Sequence, residues 1–551
     1  MRWVWIAQLV LGFGALTTTR SAAFDGPPGA ELQQAVFGCV RHALPAVVYL
    51  TRQDTPGGCS GAIISSDGLV LTCAHINAKV GDEILVHTAD GKRHSGKLLG
   101  KSTENGEFGD DLALAQLVDK GPWPFVTLGS SDAITSETAL LMFGHPATGL
   151  LSGEGEKPKC QVRIGYRMRS DHTDKAGLIR TTIRGFGGDS GGPVFDACGH
   201  LVGVATNFEN GGIGLTFNTV DLLRKRWAVL GGSRVAPDSP EFKCPALPTL
   251  DSVFRSTIPG IQKLVVEVRS DFRAIASGLI VSRGRVLTKA SELGPDLTIA
   301  FVDESVASAR AVAVDHARDL ALLEIGTSDS DDAIPTVPWS KSTASACGEL
   351  LAVVTPTGFR SPWGAVAVET ARVPPMEGSI PVMLEDGPLG VVVVQVVDAV
   401  FLPGQKASFP LRVGDTITHV QGLTIQTISD WQRLHEHWPP SGDRPRIAGE
   451  QVTVKYSRGG VAAEANFPLA LSHNANHSVR ASSLRATGFE RVIVAQFHQS
   501  RREHCGSPVV NANGQVIGIY IAKSETVEDL VLPLNEVMVA LQTLEAAIGK
   551  K

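Results

Sequence analysis

Short apolar runs separated by turn residues make up most of the chain. Between residues 46 and 218, runs rich in Val, Ile, Leu and Ala alternate with turns that contain Gly, Ser, Asp and Pro. Regularly spaced runs of this kind are typical of strands in an all-β fold. We therefore predict that this region forms a pair of β-barrels, closed by a short helix at residues 220–227.

The pattern of the first half returns in the second half. Four stretches recur there in the same order: 59–65 as 276–282, 70–75 as 286–291, 111–115 as 319–323, and 190–195 as 505–510. Self-similarity on this scale indicates a duplicated domain.

The second copy carries an insertion. Residues 111 and 190 are 79 positions apart, whereas their counterparts 319 and 505 are 186 apart, so the second copy holds 107 additional residues. That is enough chain for a small domain of its own.

Length and charge limit the class of protein. The chain has 551 residues and a net charge of −6, with a pI near 6.2. This length suggests three or four domains. Because there is no basic surplus, we expect neither nucleic acid nor an anionic membrane surface as a partner.

The first 23 residues resemble a targeting segment. Arg2 precedes an apolar stretch at residues 3–16, and small residues at 21–23 offer a cleavage site. This pattern predicts a signal peptide, with an uncleaved anchor as the alternative. No later stretch reaches spanning length, so we expect an exported chain, periplasmic or secreted, without a transmembrane span after cleavage.

The eight cysteines fit an exported protein. Because no two of them form a CxxC pair, we do not expect a structural zinc site. We therefore expect no metal and no cofactor. Cys59 and Cys73 lie on the two arms of a predicted hairpin, where either a disulfide or two buried thiols would fit.

The strongest candidate for chemistry is Ser190, in the run Gly-Gly-Asp-Ser-Gly-Gly-Pro-Val at residues 187–194. A serine hydroxyl becomes a nucleophile only when a base takes its proton. Gly188 lets the backbone turn so that its N–H and that of Ser190 can face one oxyanion. The run therefore calls for a histidine and an aspartate upstream.

Both partners are present in fitting contexts. His75 follows an apolar run at the end of a predicted hairpin, and Asp111 directly precedes another apolar strand. The order His, Asp, Ser is that of chymotrypsin-like enzymes. On these motifs, residues 35–230 resemble the trypsin-fold proteases of the HtrA (DegP) family, although Asp189 stands where members of that family commonly carry Asn.

The resemblance implies a fold and a domain order. We expect an all-β chain of two chymotrypsin/trypsin-like double β-barrel domains in tandem, the second interrupted by a PDZ-like domain. The predicted segments are an active protease domain at 24–230, a linker at 231–257, a degenerate domain at 258–375 and 471–551, and the PDZ-like domain at 376–470.

The second copy has lost the residues that the chemistry needs. Ser291 stands in the place of the histidine, Cys505 in the place of the serine, and Glu503 in the place of Gly188. His504 is adjacent to Cys505, but neighbours on a strand point to opposite faces. We therefore predict a pseudoprotease that serves packing or binding, with a Cys505 nucleophile as the less favoured alternative.

The insertion resembles a PDZ domain through the run Val-Gly-Asp-Thr-Ile-Thr-His-Val at residues 413–420. Such domains capture a C-terminal carboxylate on backbone N–H groups and add the peptide as a strand. Leu389, Gly390 and Val391 are our candidates for that loop. A generic β domain that binds no peptide is the alternative.

Arg184 is the candidate for substrate specificity. In trypsin-like folds, the residue six positions before the nucleophile lies at the base of the primary pocket, and a guanidinium there would select acidic substrates. The alternatives are that Arg184 points out of the pocket or pairs with an acid such as Asp189 or Glu209.

Together these features predict an exported serine endopeptidase that acts on protein or peptide substrates. The family resemblance implies unfolded or damaged proteins as substrates, without metal or ATP. The alternative function is a binding or chaperone-like scaffold with low or latent peptidase activity.

Overall fold

The structure is a computed structural model. It describes the following residues: 29–52, 55–103, 110–148, 151, 157–168, 177–208, 214–231, 244–326, 336–356, 361–375, 378–397, 409–436, 448–471, 483–524 and 526–549. The predicted signal peptide therefore lies outside the described residues. No helix within the described ranges is long and apolar enough to cross a membrane.

The first half begins with a helix and a closed six-stranded barrel. Its elements are α1 (Ala30–Ala43), β1 (Val47–Arg52), β2 (Thr55–Ile63), β3 (Leu69–Thr72), β4 (Glu83–His87), β5 (Arg93–Lys101) and β6 (Ala113–Leu117). The strands follow the order β1-β2-β3-β6-β5-β4 around the barrel. Gly68 begins the return of the β2–β3 hairpin at φ 90°, where a Cβ would collide with Leu117 and Trp123.

A second closed barrel and a short helix complete the first half. Its elements are β7 (Ala139–Gly144), β8 (Gln161–Met168), β9 (Leu178–Thr181), β10 (Pro193–Asp196), β11 (Leu201–Phe208), β12 (Leu215–Thr219) and α2 (Val220–Arg226). The strand order is β10-β11-β12-β9-β8-β7. Thr219 caps α2 by accepting a hydrogen bond from Leu222 N.

The second half starts with a helix inside the segment predicted as a linker. Its first elements are α3 (Leu250–Gln262), β13 (Val265–Ser270), β14 (Arg273–Ser282), β15 (Arg285–Lys289), β16 (Leu297–Ala300), β17 (Val306–Asp315) and β18 (Leu320–Ile325). The linker prediction is thus wrong from residue 250 onward. Thr249 caps the helix, and Leu250, Val253, Phe254 and Ile258 form a buried helical face.

The insertion is a separate small sheet with its own core. After β19 (Leu350–Val353) and β20 (Trp363–Val373), the chain forms β21 (Gly378–Ser379), β22 (Val382–Gly387), β23 (Gly390–Val396), β24 (Thr416–Val420), β25 (Leu423–Thr424), α4 (Ile428–Glu436), β26 (Gln451–Arg458), β27 (Val461–Pro468) and β28 (Ala470–Leu471). The sheet order is β22-β23-β24-β26-β27, and β21 pairs with β28. Val391, Ile417 and Val452 are fully buried in this core.

The chain then returns to finish the barrel that it left. The remaining elements are β29 (Phe489–Phe497), β30 (Pro508–Asn511), β31 (Val516–Lys523), β32 (Asp529–Pro533) and α5 (Leu534–Ile548). Together with β19 and β20 they close a barrel in the order β19-β20-β29-β32-β31-β30. The predicted all-β fold of tandem double barrels is confirmed.

The two halves share one hydrophobic core. The largest buried cluster runs from Leu32 in α1 to Leu544 in α5. Strand β8 lies against β20, and the rings of Tyr166 and Trp363 meet edge to face with centroids 5.3 Å apart. The second copy is therefore packed directly against the second barrel of the first.

The disulfide in the structure joins Cys198 and Cys244, which sequence analysis did not pair. It ties the turn between β10 and β11 to the segment that precedes α3. Cys59 and Cys73 are both buried free thiols, so of the two open possibilities the structure has the unbridged one. A hydrogen bond to Cys59, together with burial, raises the pKa of Cys73 well above its usual value.

Candidate active site

Two paired strands bring His75 and Asp111 together. Thr72 at the end of β3 lies opposite Ala113 at the start of β6, so the residues just beyond both strands meet at one end of the barrel. His75 Nδ1 lies 2.7 Å from Asp111 Oδ2, and His75 N donates to Asp111 Oδ1 at 2.9 Å. The second bond fixes the backbone that carries the imidazole.

The carboxylate is buried and fully engaged. Asp111 is 2% exposed, and Thr206 Oγ1 from β11 also donates to its Oδ2. Burial alone would raise the pKa of Asp111, but the hydrogen bonds from His75 and Thr206 hold it below its usual value. The hydrogen bond to Asp111 in turn raises the pKa of His75, against the effect of burial. Asp111 is therefore an anion that stabilises an imidazolium.

Ser190 comes from the second barrel and lies close to this pair. Its neighbour Gly191 adopts φ 80° and is so close to the first barrel that a Cβ there would collide with Ser60 O and Thr72 Oγ1 and lie 3.0 Å from Cys73 N. Ser60 N also donates to Ser190 O at 2.8 Å. The half-buried Ser190 is thus held beside the segment that presents His75.

The hydroxyl and the imidazole are not hydrogen-bonded to each other. No bond between Ser190 Oγ and His75 Nε2 is found among the described residues, and Nε2 lies 3.8 Å from Cys73 Sγ. The His75 side chain is 38% exposed, so solvent and substrate can reach it. In proteins without substrate such contacts are often long and tighten on binding.

The loop before Ser190 leaves two N–H groups unused. Within the described residues, neither Gly188 N nor Ser190 N donates to another protein atom. The Gly187 carbonyl accepts from Ala147 N at 2.8 Å, which turns the Gly188 N–H to the opposite side of that planar peptide. Gly188 has φ 94°, and a Cβ there would collide with the His145 carbonyl.

Ser60 braces the same loop from the first barrel. Its hydroxyl donates to Gly188 O at 2.8 Å and accepts from His145 N at 2.9 Å. Burial lowers the pKa of His145 to about 3, so that ring is neutral. In the sequence, Ser60 stands out only as part of the repeated stretch 59–65, because its partners lie 85 and 128 residues further along the chain.

A buried ion pair also fixes the loop. Arg163 on β8 makes two hydrogen bonds to the carboxylate of Asp189, and both side chains are fully buried. Asp189 Oδ2 accepts from Phe186 N at 2.8 Å as well. The carboxylate next to the serine therefore organises the turn from residue 186 to 189. Sequence analysis missed Arg163, which stands inside an apolar strand.

Arg184 pairs with an acid of the second copy that was not among the partners named for it in the sequence. Its guanidinium donates to Asp529 Oδ2 at 2.6 Å and to Thr526 O at 2.7 Å, both in the second copy. Asp529 is fully buried. A guanidinium that is engaged in this way is not available to a substrate carboxylate, so we do not retain Arg184 as a specificity residue.

The second copy keeps the frame of the site without its base. Ser291 N donates to Asp319 Oδ1 and Ser291 Oγ to Oδ2, both at 2.8 Å. Lys289 stands in the place of Cys73, is fully buried, and lies 3.4 Å from Asp319 Oδ2. The counterpart of Asp111 in the second copy is thus bonded to a hydroxyl and lies beside a lysine, where Asp111 holds a histidine.

Cys505 is closed off from solvent. Its thiol is fully buried, and burial raises its pKa to about 11, so it is protonated at neutral pH. Its partner is the Ser483 hydroxyl at 3.4 Å. Burial lowers the pKa of His504 to about 4, and its Nδ1 accepts from Arg501 N. These positions do not form a thiolate–imidazolium pair.

The strand order of the inserted sheet differs from that required by the predicted peptide site. Strand β23, which begins at Gly390, pairs with β22 on one side and β24 on the other, so no strand can be added to it. Leu389 lies in the two-residue turn before it and is 79% exposed. Among the described residues, the free edge of this side of the sheet is β22. The assignment of Leu389, Gly390 and Val391 to a loop before a binding strand is therefore wrong.

One cluster of possible metal ligands is present in the described ranges, at Asp196, Cys198 and Cys244. Both sulfurs are joined in the disulfide, so neither is available as a thiolate ligand.

Comparisons with known proteins find sequences similar to the first half. Residues 59–204 match the family model described as a trypsin-like peptidase domain. A probable periplasmic serine endoprotease, DegP-like, from Ectopseudomonas mendocina is 31% identical over 168 residues, which are 29% of this chain and 31% of that protein. The corresponding protein of Chlamydia muridarum is 29% identical over 177 residues, 30% of this chain and 32% of its own.

The chain thus spans about a third of the length of these relatives. A solved structure of a serine endoprotease from Yersinia pestis aligns with 79% of this chain and 98% of its own, at 15% identity and a TM-score of 0.30. Residues 59–204 are thus similar to trypsin-like peptidase domains, and this part of the chain resembles the DegP-like serine endoproteases.

Proposed function

We propose that the protein is an exported serine endopeptidase of HtrA type, with Ser190, His75 and Asp111 as its catalytic residues. The observation that carries the proposal is the buried Asp111 carboxylate bonded to both the ring and the backbone of His75, beside Ser190. The two unused N–H groups of Gly188 and Ser190 support it.

The reaction follows from these positions. Ser190 Oγ attacks the scissile carbonyl while His75 Nε2 takes its proton, and the N–H groups of Gly188 and Ser190 stabilise the oxyanion. The tetrahedral intermediate then collapses: the C–N bond breaks, His75 returns the proton to the leaving amine, and an acyl-enzyme on Ser190 remains. Water repeats the sequence on the acyl-enzyme and releases the acid. Asp111 keeps the proton of neutral His75 on Nδ1, so that Nε2 can accept one, and it stabilises the imidazolium at each step.

The substrates that we propose are unfolded or damaged proteins. The support is the relatedness of the peptidase domain to periplasmic DegP-like endoproteases, whose matched region is about a third of their length. The same relatedness supports an exported, periplasmic or secreted location.

A scaffold with low peptidase activity is the second candidate. It is favoured by the lack, among the described residues, of a hydrogen bond between Ser190 Oγ and His75 Nε2, and by the degenerate second half. In this case substrate binding would have to draw the two side chains together before turnover begins.

We propose in addition that the inserted sheet binds peptides along β22. This strand lies at the sheet edge, helix α4 lies against it, and Ile428 N donates to Asp386 Oδ1 at 2.7 Å. An extended peptide could add to that edge. Equal binding of free and C-terminally amidated peptides would exclude carboxylate capture, and no binding would exclude the site.

A casein digest tests the peptidase function. The protein should degrade unfolded casein, the Ser190→Ala variant should not, and Cys505→Ala should behave like the parent. Degradation that survives in Ser190→Ala would overturn the assignment of the nucleophile. Intact casein with every variant would favour the scaffold.

A further inference from the structure

The segment that leads to the nucleophile is held by the second copy. Gln496 on β29 contacts the backbone of Arg184 on both sides: its Oε1 accepts from Arg184 N, and its Nε2 donates to Arg184 O, each at 3.1 Å. Gln496 is 4% exposed. The amide therefore fixes the peptide units at residue 184 as a neighbouring strand would.

The side chain of Arg184 is anchored in the same wall. Asp529 on β32 accepts from it, and also from Phe497 N at 2.8 Å and Tyr520 Oη at 2.9 Å, with Lys523 Nζ 3.1 Å away. A carboxylate with this many donors has a fixed position. Arg184 is thus tied to a rigid part of the degenerate barrel.

Further hydrogen bonds connect Arg184 to Asp189, the residue before Ser190. Arg163 Nη1 donates to Arg184 O at 3.1 Å and to Asp189 Oδ2 at 2.6 Å. Arg163 therefore links the carbonyl that Gln496 holds to the carboxylate that shapes residues 186–189. An unbroken series of hydrogen bonds runs from β29 and β32 to the peptide before Ser190.

A second buried acid of the degenerate barrel reaches the opposite side of the loop. Glu528 is fully buried and accepts from Thr148 Oγ1 at 2.5 Å and from Gln161 Nε2 at 2.9 Å. Thr148 follows Ala147, whose N–H holds the Gly187 carbonyl. The degenerate barrel therefore contacts both segments that determine the direction of the Gly188 N–H.

We propose that the degenerate second copy is a built-in positioning element for the oxyanion loop of the first, with Gln496 and Asp529 as its positioning residues. This rests on the proposed peptidase function. The surface of the second copy that faces the first does more than pack against it. It holds residues 184–189 in the conformation that presents the N–H groups of Gly188 and Ser190. Loss of this support should lower kcat more than it raises KM, because the oxyanion forms only during reaction.

The chain offers a matched control. Gln33 on α1 makes the same pair of backbone contacts across the two halves, with Nε2 donating to Gly348 O at 3.0 Å and Oε1 accepting from Leu350 N at 2.8 Å. Gln33→Ala removes two hydrogen bonds of the same kind between the halves as Gln496→Ala does, but the bonds that it removes do not involve Arg184. A difference between the two variants reports on the loop rather than on interdomain packing.

The test compares Gln496→Ala, Asp529→Asn and Gln33→Ala in the full chain by two measurements. The first is peptide hydrolysis, where we expect kcat to fall about tenfold or more in the first two variants and to stay near the parent value in Gln33→Ala. The second is hydrogen exchange of the amides of residues 184–190, which should quicken in the same two variants only.

Each outcome has a distinct meaning. Unchanged exchange in Gln496→Ala and Asp529→Asn overturns the positioning role whatever the activity. Faster exchange with unchanged kcat shows that the loop is held but that turnover does not need it, which also overturns the proposal. Absence of Ser190-dependent hydrolysis in the parent protein overturns the peptidase function alone, while exchange still decides whether the loop is positioned.

Discussion

The two halves hold an aspartate in nearly the same hydrogen-bond frame, yet only one half has a base. Asp111 contacts the backbone N and ring of His75 at 2.9 and 2.7 Å, and Asp319 contacts the backbone N and hydroxyl of Ser291 at 2.8 Å each. The frame belongs to the fold, because both copies build it. The chemistry depends on what the frame holds.

The nucleophile positions show the same division. Ser60 N donates to Ser190 O and Ser277 N donates to Cys505 O, both at 2.8 Å. Ser190 is half-buried and reachable, whereas the Cys505 thiol is fully enclosed. The second copy thus keeps the backbone hydrogen bond at the nucleophile position, but the Cys505 side chain there is not accessible. The sequence match at residues 505–510 alone would therefore overstate the activity of the second copy.

The largest expected effect comes from removing the base. His75→Ala should lower kcat/KM for a peptide by about 10⁴-fold or more, because it removes the group that takes the proton of Ser190. The matched control is His94→Ala, which removes a histidine bonded to Asp119 at 2.8 Å on the surface of the same barrel. Activity of His75→Ala within tenfold of the control would mean that the first copy is no more catalytic than the second.

The next effect is on stability, at the ion pair beside the nucleophile. Arg163→Met should lower the free energy of unfolding by about 3–5 kcal/mol, because it leaves the buried Asp189 carboxylate unpaired. Arg372→Met is the control: its two bonds to Glu490 are exposed and should be worth less than about 1 kcal/mol. Equal losses in denaturant melts would show that Asp189 is not held by this pair.

The pH dependence should follow His75. Its pKa is raised above the usual 6.5 by Asp111, and the protonated ring cannot act as a base. As pH falls through that raised pKa, kcat/KM should therefore drop about tenfold for each pH unit. A pH–rate profile on a peptide measures this directly, and a profile that is flat from about pH 5 to 8 would exclude His75 as the base.

The smallest effect is expected in the second copy. Cys505→Ala should leave peptide turnover unchanged, because the thiol is enclosed and its pKa is about 11. The folded parent protein should also leave Cys505 unmodified by thiol reagents that act on thiolates. Rapid modification at neutral pH, or a loss of turnover in a folded Cys505→Ala variant, would show that the second copy takes part in the chemistry.

Local patterns were enough for the barrels and for the candidate triad residues. Strand-length apolar runs predicted the β-barrels, and the repeat predicted their duplication. His75 and Asp111 could be found because each stands directly beside an apolar strand, and strand pairing then brings them together. These features depend on neighbours that are close in sequence or follow from the order of a hairpin.

Contacts between distant segments could not be read from the same patterns. Asp189 and its partner Arg163 are 26 residues apart, and Arg184 and Asp529 are 345 apart, on strands whose packing no local signal specifies. The edge of the inserted sheet is β22 rather than β23 because strand order is a tertiary property. The pairing of Cys198 with Cys244 was hidden for the same reason, since eight cysteines allow many pairings.

Labelling with a fluorophosphonate, followed by mass spectrometry, shows whether Ser190 alone is an activated nucleophile. We expect modification of Ser190 in the parent protein and in Cys505→Ala, much slower modification in His75→Ala, and no modification at Ser291 or Cys505. A folded parent protein that leaves Ser190 unlabelled, or that labels equally fast without His75, would contradict this expectation.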